Sequence, residues 1–98
     1  MSENEKQPSN PPANSEVAKQ IVCDLVHCIA ERLVDNPDEV QISSASGETS
    51  TIIELKVNKD DMGKVIGSQG KTIKAIRQIL TAVSAKYKIK VILHLPED

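Results

Sequence analysis

The segment Val65-Ile66-Gly67-Ser68-Gln69-Gly70-Lys71-Thr72-Ile73 holds the residues whose types and spacing best suit a chemical task. Two glycines three positions apart let a chain turn sharply and bring its backbone close to another backbone. A helix beginning near Lys71 aims its unpaired N–H groups and positive dipole end at that turn, which favours a phosphate there. Ile66 and Ile73 flank the turn and are expected to line an apolar groove beside it. Such a site grips sugar-phosphate on one side and lays bases against aliphatic side chains on the other. A two-glycine turn made only for packing fits the same four residues, so the neighbours decide. Between Asp61 and Glu97 there is no acidic residue but there are seven basic ones: Lys64, Lys71, Lys74, Arg77, Lys86, Lys88 and Lys90. Lys71, Lys74 and Arg77 recur every third position, in steps of about 60° round a helix. They form a basic stripe leading away from the turn, whereas a merely solvated face mixes signs.

Other arrangements carry less. Cys23 and His27 share a helical face, but two ligands do not close a zinc site. Cys23 and Cys28 are about 140° apart round a helix and about 7.5 Å apart along it, too far for a disulfide. They read as reduced thiols of a cytosolic protein. His94 alternates outward on a strand. Asp60-Asp61 resembles a paired-carboxylate site, yet two acids before a short helix more simply favour its N-terminus. No Ser/His/Asp or Cys/His spacing supports catalysis, and the Gly-x-x-x-x-Gly-Lys-Ser/Thr nucleotide loop is absent. The reading is a protein without enzymatic activity, cofactor, metal or small-molecule substrate.

The elements that must position the turn follow from periodicity. Residues 1–14 contain three prolines and no apolar repeat, and are expected to be a disordered tail. Val17, Ile21, Leu25, Cys28, Ile29 and Leu33 recur at three- and four-residue steps, predicting a helix over 15–35 that Pro37 ends. Val40 and Ile42 predict a short strand, Ser44 to Glu48 a turn, and Thr51 to Val57 a half-buried strand. A short amphipathic stretch, Lys59 to Ile66, leads into the glycines. Ile73, Ile76, Ile79, Leu80 and Val83 then predict a second long helix, and Ile89 to Leu95 a final strand. The order α-β-β-α-α-β predicts an α+β domain over 15–96, with three helices on one face of a three-stranded mixed sheet.

Composition bounds the partners. Ninety-eight residues hold one domain, and no stretch approaches the ~18 apolar residues of a membrane span. The start of the chain carries no basic-then-apolar pattern of a secretory signal, so a cytoplasmic location is expected. With aromatic residues at 1%, modules that stack bases on aromatic rings are excluded. The net charge of −2 argues against nucleic acid only as an average. Residues 1–55 hold three basic and ten acidic side chains, a net −7; residues 56–98 hold nine and four, a net +5.

Val-Ile-Gly-Ser-Gln-Gly-Lys-Thr-Ile-Lys-Ala-Ile (65–76), in its helix-turn-helix-strand setting, resembles a KH domain of the bacterial type II topology. Leu33 to Val40, Val57 to Lys64 and Ala75-Ile76-Arg77 extend the likeness to the small single-domain KH proteins of the KhpA kind, over about 15–95. The resemblance implies a non-catalytic module whose groove clamps about four nucleotides of single-stranded RNA. Gly67 and Gly70 are then the loop glycines, Ser68 and Gln69 the variable pair, and Ile66 and Ile73 groove aliphatics. It also implies a global RNA-binding regulator that pairs with itself or with a larger KhpB-like KH protein and affects cell-envelope growth. The family's loop commonly carries Lys or Arg in the variable pair; Ser68-Gln69 lacks one, which implies weak, salt-sensitive binding. The alternative is a KH-fold interaction module with weak or no RNA binding, suggested by Ile52 and Ile92, which are expected to face away from the core.

Overall fold

The computed structural model describes residues 11–47 and 49–96. Its elements are α1 (Pro11–Leu33), β1 (Gln41–Ser46), β2 (Thr51–Lys56), α2 (Met62–Ile66), α3 (Lys71–Lys86) and β3 (Val91–His94). β1 and β2 form an antiparallel hairpin from Gln41↔Lys56 to Ser46↔Thr51. β3 joins β2 in parallel, from Thr51↔Val91 to Glu54↔His94, so the sheet is mixed with order β1-β2-β3. The expected α+β order and sheet are observed.

Strand alternation decides which face the helices cover. Along β2, Ile53 and Leu55 are buried while Ile52, Glu54 and Lys56 are exposed. Ile53 and Leu55 meet Val22, Val26 and Ala30 of α1, Val65 of α2, Ile73, Ile76 and Leu80 of α3, and Leu93 of β3 in one core. The opposite face is uncovered by any described element.

Several boundaries differ from the sequence reading. α1 starts at Pro11, inside the segment 11–14 expected as tail, and ends at Leu33 rather than near 35. Proline suits a first helical turn because the N–H it lacks has no partner there. Met1 to Asn10 of the expected tail lie outside the described residues. The buried seam of α1 is Ala18, Val22, Val26 and Ala30; Val17, Ile21 and Cys28, expected on the core face, are exposed. Small and β-branched side chains at four-residue steps let the helix lie close to the sheet, and the bulkier Leu25 and Ile29 fill its flank. On α3, Ile79 is likewise exposed rather than buried. Ser44-Ala45-Ser46, expected in a turn, extend β1, and the reversal comes one step later where the Gly47 N–H bonds the Ser50 carbonyl. Among the described residues, no helix is long and apolar enough to cross a membrane.

Candidate nucleic-acid interface

The turn between α2 and α3 depends on backbone geometry that its glycines permit. Gly67 ends α2 with φ 77° and ψ 170°, and a Cβ built there would collide with the Thr72 side chain and lie 2.9 Å from the Thr72 nitrogen. The backbone at Gly67 therefore rests directly on the first turn of α3. Gln69 (φ 57°, ψ 24°) and Gly70 (φ 75°, ψ 15°) are both left-handed. A non-glycine residue there costs about 1–2 kcal/mol, so Gln69 is held in a strained backbone at the tip. Ser68 and Gln69 are exposed. The N-terminus of α3, sixteen residues long, opens onto this tip, a geometry that receives anions.

Lys71, Lys74 and Arg77 are exposed along α3, as the stripe requires. Lys74 reaches back toward the turn: its Cε lies 3.9 Å from where a Gly70 Cβ would sit. Arg77 turns the other way, its Nη2 donating to the Leu93 carbonyl of β3 at 3.3 Å. It borders a recess of about 200 Å³ that Leu80, Thr81, Val91 and Leu93 line between α3 and the sheet edge.

Two expected site residues are placed differently. Ile73 is a core residue, 6% exposed, so of the two groove aliphatics only the half-buried Ile66 borders the turn with usable surface. The reason is helical phase: Ile73 begins the row Ile73, Ile76, Leu80 that faces the sheet. Aliphatic lining instead appears further along, in the recess beside Arg77, and the sequence signal was the alternation of Val91 and Leu93. Lys64 is not a free cation. Its Nζ lies 3.3 Å from Asp35 Oδ2 and 3.6 Å from Asp61 Oδ1, and the hydrogen bond to Asp35 raises its affinity for the proton.

Asp61 was expected only to favour a helix N-terminus. It is 1% exposed and accepts the Asp35 N–H at 3.2 Å, the Asn36 N–H at 3.1 Å and the Asn36 Nδ2 at 3.0 Å. Burial opposes its ionisation, but the Asn36 side chain, those two backbone N–H groups and the Lys64 charge outweigh it. The carboxyl is held below its ordinary value of 3.8. Asp61 thus ties the end of α1 to the start of the helix that carries the turn. No pattern in the sequence distinguished it from Asp60.

The remaining chemistry-bearing residues stay apart. Burial raises the pKa of the Cys23 thiol, the opposite of activation for attack. His27 faces Glu31 at 3.3 Å. Among the described residues, no three His, Cys, Asp or Glu side chains gather as metal ligands.

A Gly-x-x-Gly turn between two helices, in an α-β-β-α-α-β domain with a mixed three-stranded sheet, defines a KH domain of type II topology. The family model described as "KhpA/KhpB, KH domain" matches residues 23–95, and the chain belongs to that family. It is 51% identical over 71 residues to the RNA-binding protein KhpA of Clostridium acetobutylicum, covering 72% of this chain and 95% of that one. The protein of the same name from Caldanaerobacter subterraneus is 50% identical over 72 residues, 74% of this chain and 96% of its own. That of Aquifex aeolicus is 43% identical over 74 residues, 76% and 94%.

Proposed function

We propose that this protein is a non-catalytic, cytoplasmic module that binds single-stranded RNA at the 67–70 turn and acts as a global RNA-binding regulator. The observation that carries the reading is the seating of Gly67 against the first turn of α3, with Lys71 and Lys74 exposed beside it. A phosphate at the tip meets a helix N-terminus and two cations, and the strand's bases run toward the aliphatic recess at Arg77. The relatives' names support the same reading. Substituting Gly67 is a poor test, since any side chain collides with Thr72. The double variant Ser68→Asp/Gln69→Asp changes only exposed side chains and sets two carboxylates at the tip. RNA crosslinking in cells is expected to fall at least about ten-fold while the thermal melt stays within a few degrees. Unchanged crosslinking by the folded variant sinks the proposal.

A second observation favours an interaction role alongside it. Ile52 and Ile92, 45% and 44% exposed, are register partners on the bare sheet face, and Ala45 extends their row. Adjacent apolar side chains suit a contact between two copies, or with a KhpB-like KH partner, and two weak grooves on one particle gain avidity. Sedimentation at micromolar concentration is expected to show a dimer that Ile92→Lys dissociates. Monomers in both samples rule the dimer contact out.

A further inference from the structure

The two edges of the sheet are treated differently. Arg77 covers the outer edge of β3 by bonding the Leu93 carbonyl. Among the described residues no side chain bonds the outward main chain of β1, although the Lys19 Nζ donates to the Ser46 Oγ at 3.3 Å. Gln41-Ile42-Ser43-Ser44-Ala45-Ser46 carries no charge and no proline, and its register against β2 is unbroken over all six pairs. Charges, prolines and bulges are the usual means by which edges are closed to further strands. The Gly47–Ser50 bond fixes the phase of the hairpin: alternate pairs bond inward, so the N–H and C=O groups of Ile42, Ser44 and Ser46 point outward.

A groove runs along this edge. Gln20, Cys23, Asp24 and His27 of α1 form its wall, and Ile42 and Ser44 its floor, around a cavity of about 260 Å³. A helix beside an open strand edge is a geometry that takes up an extended peptide: main-chain bonds hold it and alternate side chains enter the groove. The wall's charges then select the peptide. The exposed Asp24 lines the groove; Glu31 of the same helix faces His27 at 3.3 Å, and Lys19, paired with Glu16 at 3.4 Å, also donates to the Ser46 Oγ at 3.3 Å. A second copy adding its own β1 would set two Asp24 carboxylates along one shared edge. RNA meets the same repulsion. A basic strand meets attraction.

We propose that the open edge of β1, beside α1, takes up an extended basic segment of a partner protein as a fourth strand. Small apolar side chains of that segment fill the groove between Cys23 and Ile42, and a lysine or arginine of it faces Asp24. This surface is separate from the 67–70 turn, so a bound partner leaves the turn open.

The experiment uses the full chain with a capped hexapeptide of alternating lysine and valine, followed by amide hydrogen exchange. With peptide in excess, exchange at Ile42, Ser44 and Ser46 is expected to slow while the 67–70 amides keep their rates. Asp24→Lys, at an exposed helical position, is expected to weaken peptide binding about three- to five-fold. Ser44→Pro, which deletes an outward N–H, is expected to abolish it, proline being tolerated on an edge. Both variants are expected to retain oligouridylate binding, which separates failure of this proposal from failure of the RNA reading. No slowing at the three amides overturns the inference. So does equal binding of a glutamate–valine hexapeptide, slowing produced by oligouridylate, or concentration-dependent slowing without peptide, which would assign the edge to a second copy.

Discussion

At the scale of single residues, the turn is held in place by side chains that do not lie in it. Asp61 accepts three hydrogen bonds from Asp35 and Asn36 and faces Lys64, so one buried carboxylate fixes the end of α1 against the start of α2. Its folded-state pKa is depressed, and the sign of the pH effect follows. A group that binds its proton less tightly when folded stabilises the protein above its unfolded value and loses that contribution as pH falls through the folded one. Asp61→Asn is therefore expected to lower the urea midpoint at pH 7, and the gap from the unsubstituted protein is expected to narrow progressively as pH falls below the ordinary value of 3.8. Urea melts of both proteins at pH 7, 5 and 3 check this; a gap that does not narrow between pH 5 and pH 3 means the ionised carboxylate is not what Asp61 contributes. Lys64 belongs to the same cluster. Paired with Asp35 and Asp61, it offers a phosphate far less charge than its place in the sequence suggested.

At the scale of elements, the ends of α3 were built with unequal ease. Its start rests on two glycines, but its C-terminal cap uses a lysine. The Ile89 N–H bonds the Ser84 carbonyl and the Lys88 N–H bonds the Ala85 carbonyl, with Lys88 left-handed at φ 59°. This is a Schellman cap whose left-handed position is normally glycine. Lys88→Gly is expected to stabilise the domain by about 1 kcal/mol, raising Tm by roughly 4–8 °C; a scanning melt measures it, and an unchanged or lower Tm counts against the strain. The cap was invisible in the sequence because it depends on φ at one residue of no turn-forming type. Element order and the α3 row Ile73, Ile76, Leu80 were legible, because a 3.6-residue period specifies a face regardless of tertiary context. α1 was misread by about one residue: the largest apolar side chains were given to the core, while Ala18 and Ala30 allow the closer approach. That error also concealed the exposure of Val17 and Ile21. The glycine turn itself was legible as a motif. The fate of Lys64 and Ile73 was not, because it is set by contacts with Asp35 and with the sheet.

At the scale of the whole molecule, the net charge of −2 is the sum of two opposed halves of the sequence. α1 packs on the uncharged β1 at one side of the sheet; α3, with Lys71, Lys74 and Arg77, packs on β3 at the other. On the proposed function, these cations admit an RNA strand along α3 and orient it without any specific base contact. The strength of this effect has a measurable signature. Each phosphate neutralised on a single strand contributes a slope of about −0.7 to log K against log salt. Three cations along α3 therefore predict a slope of about −2, a loss of affinity of roughly fifteen- to twenty-fold between 50 and 200 mM salt. Lys74→Gln is expected to flatten the slope by about 0.7, since the Lys74 Cε lies 3.9 Å from where a Gly70 Cβ would sit and the side chain is positioned to meet a phosphate at the tip. Lys64→Gln is expected to leave the slope unchanged, because that ammonium is already neutralised by Asp35 and Asp61. Fluorescence anisotropy of a labelled oligouridylate across this salt range separates the two. Equal flattening by both variants would mean that RNA displaces Asp35 from Lys64, and that the basic surface extends onto α2.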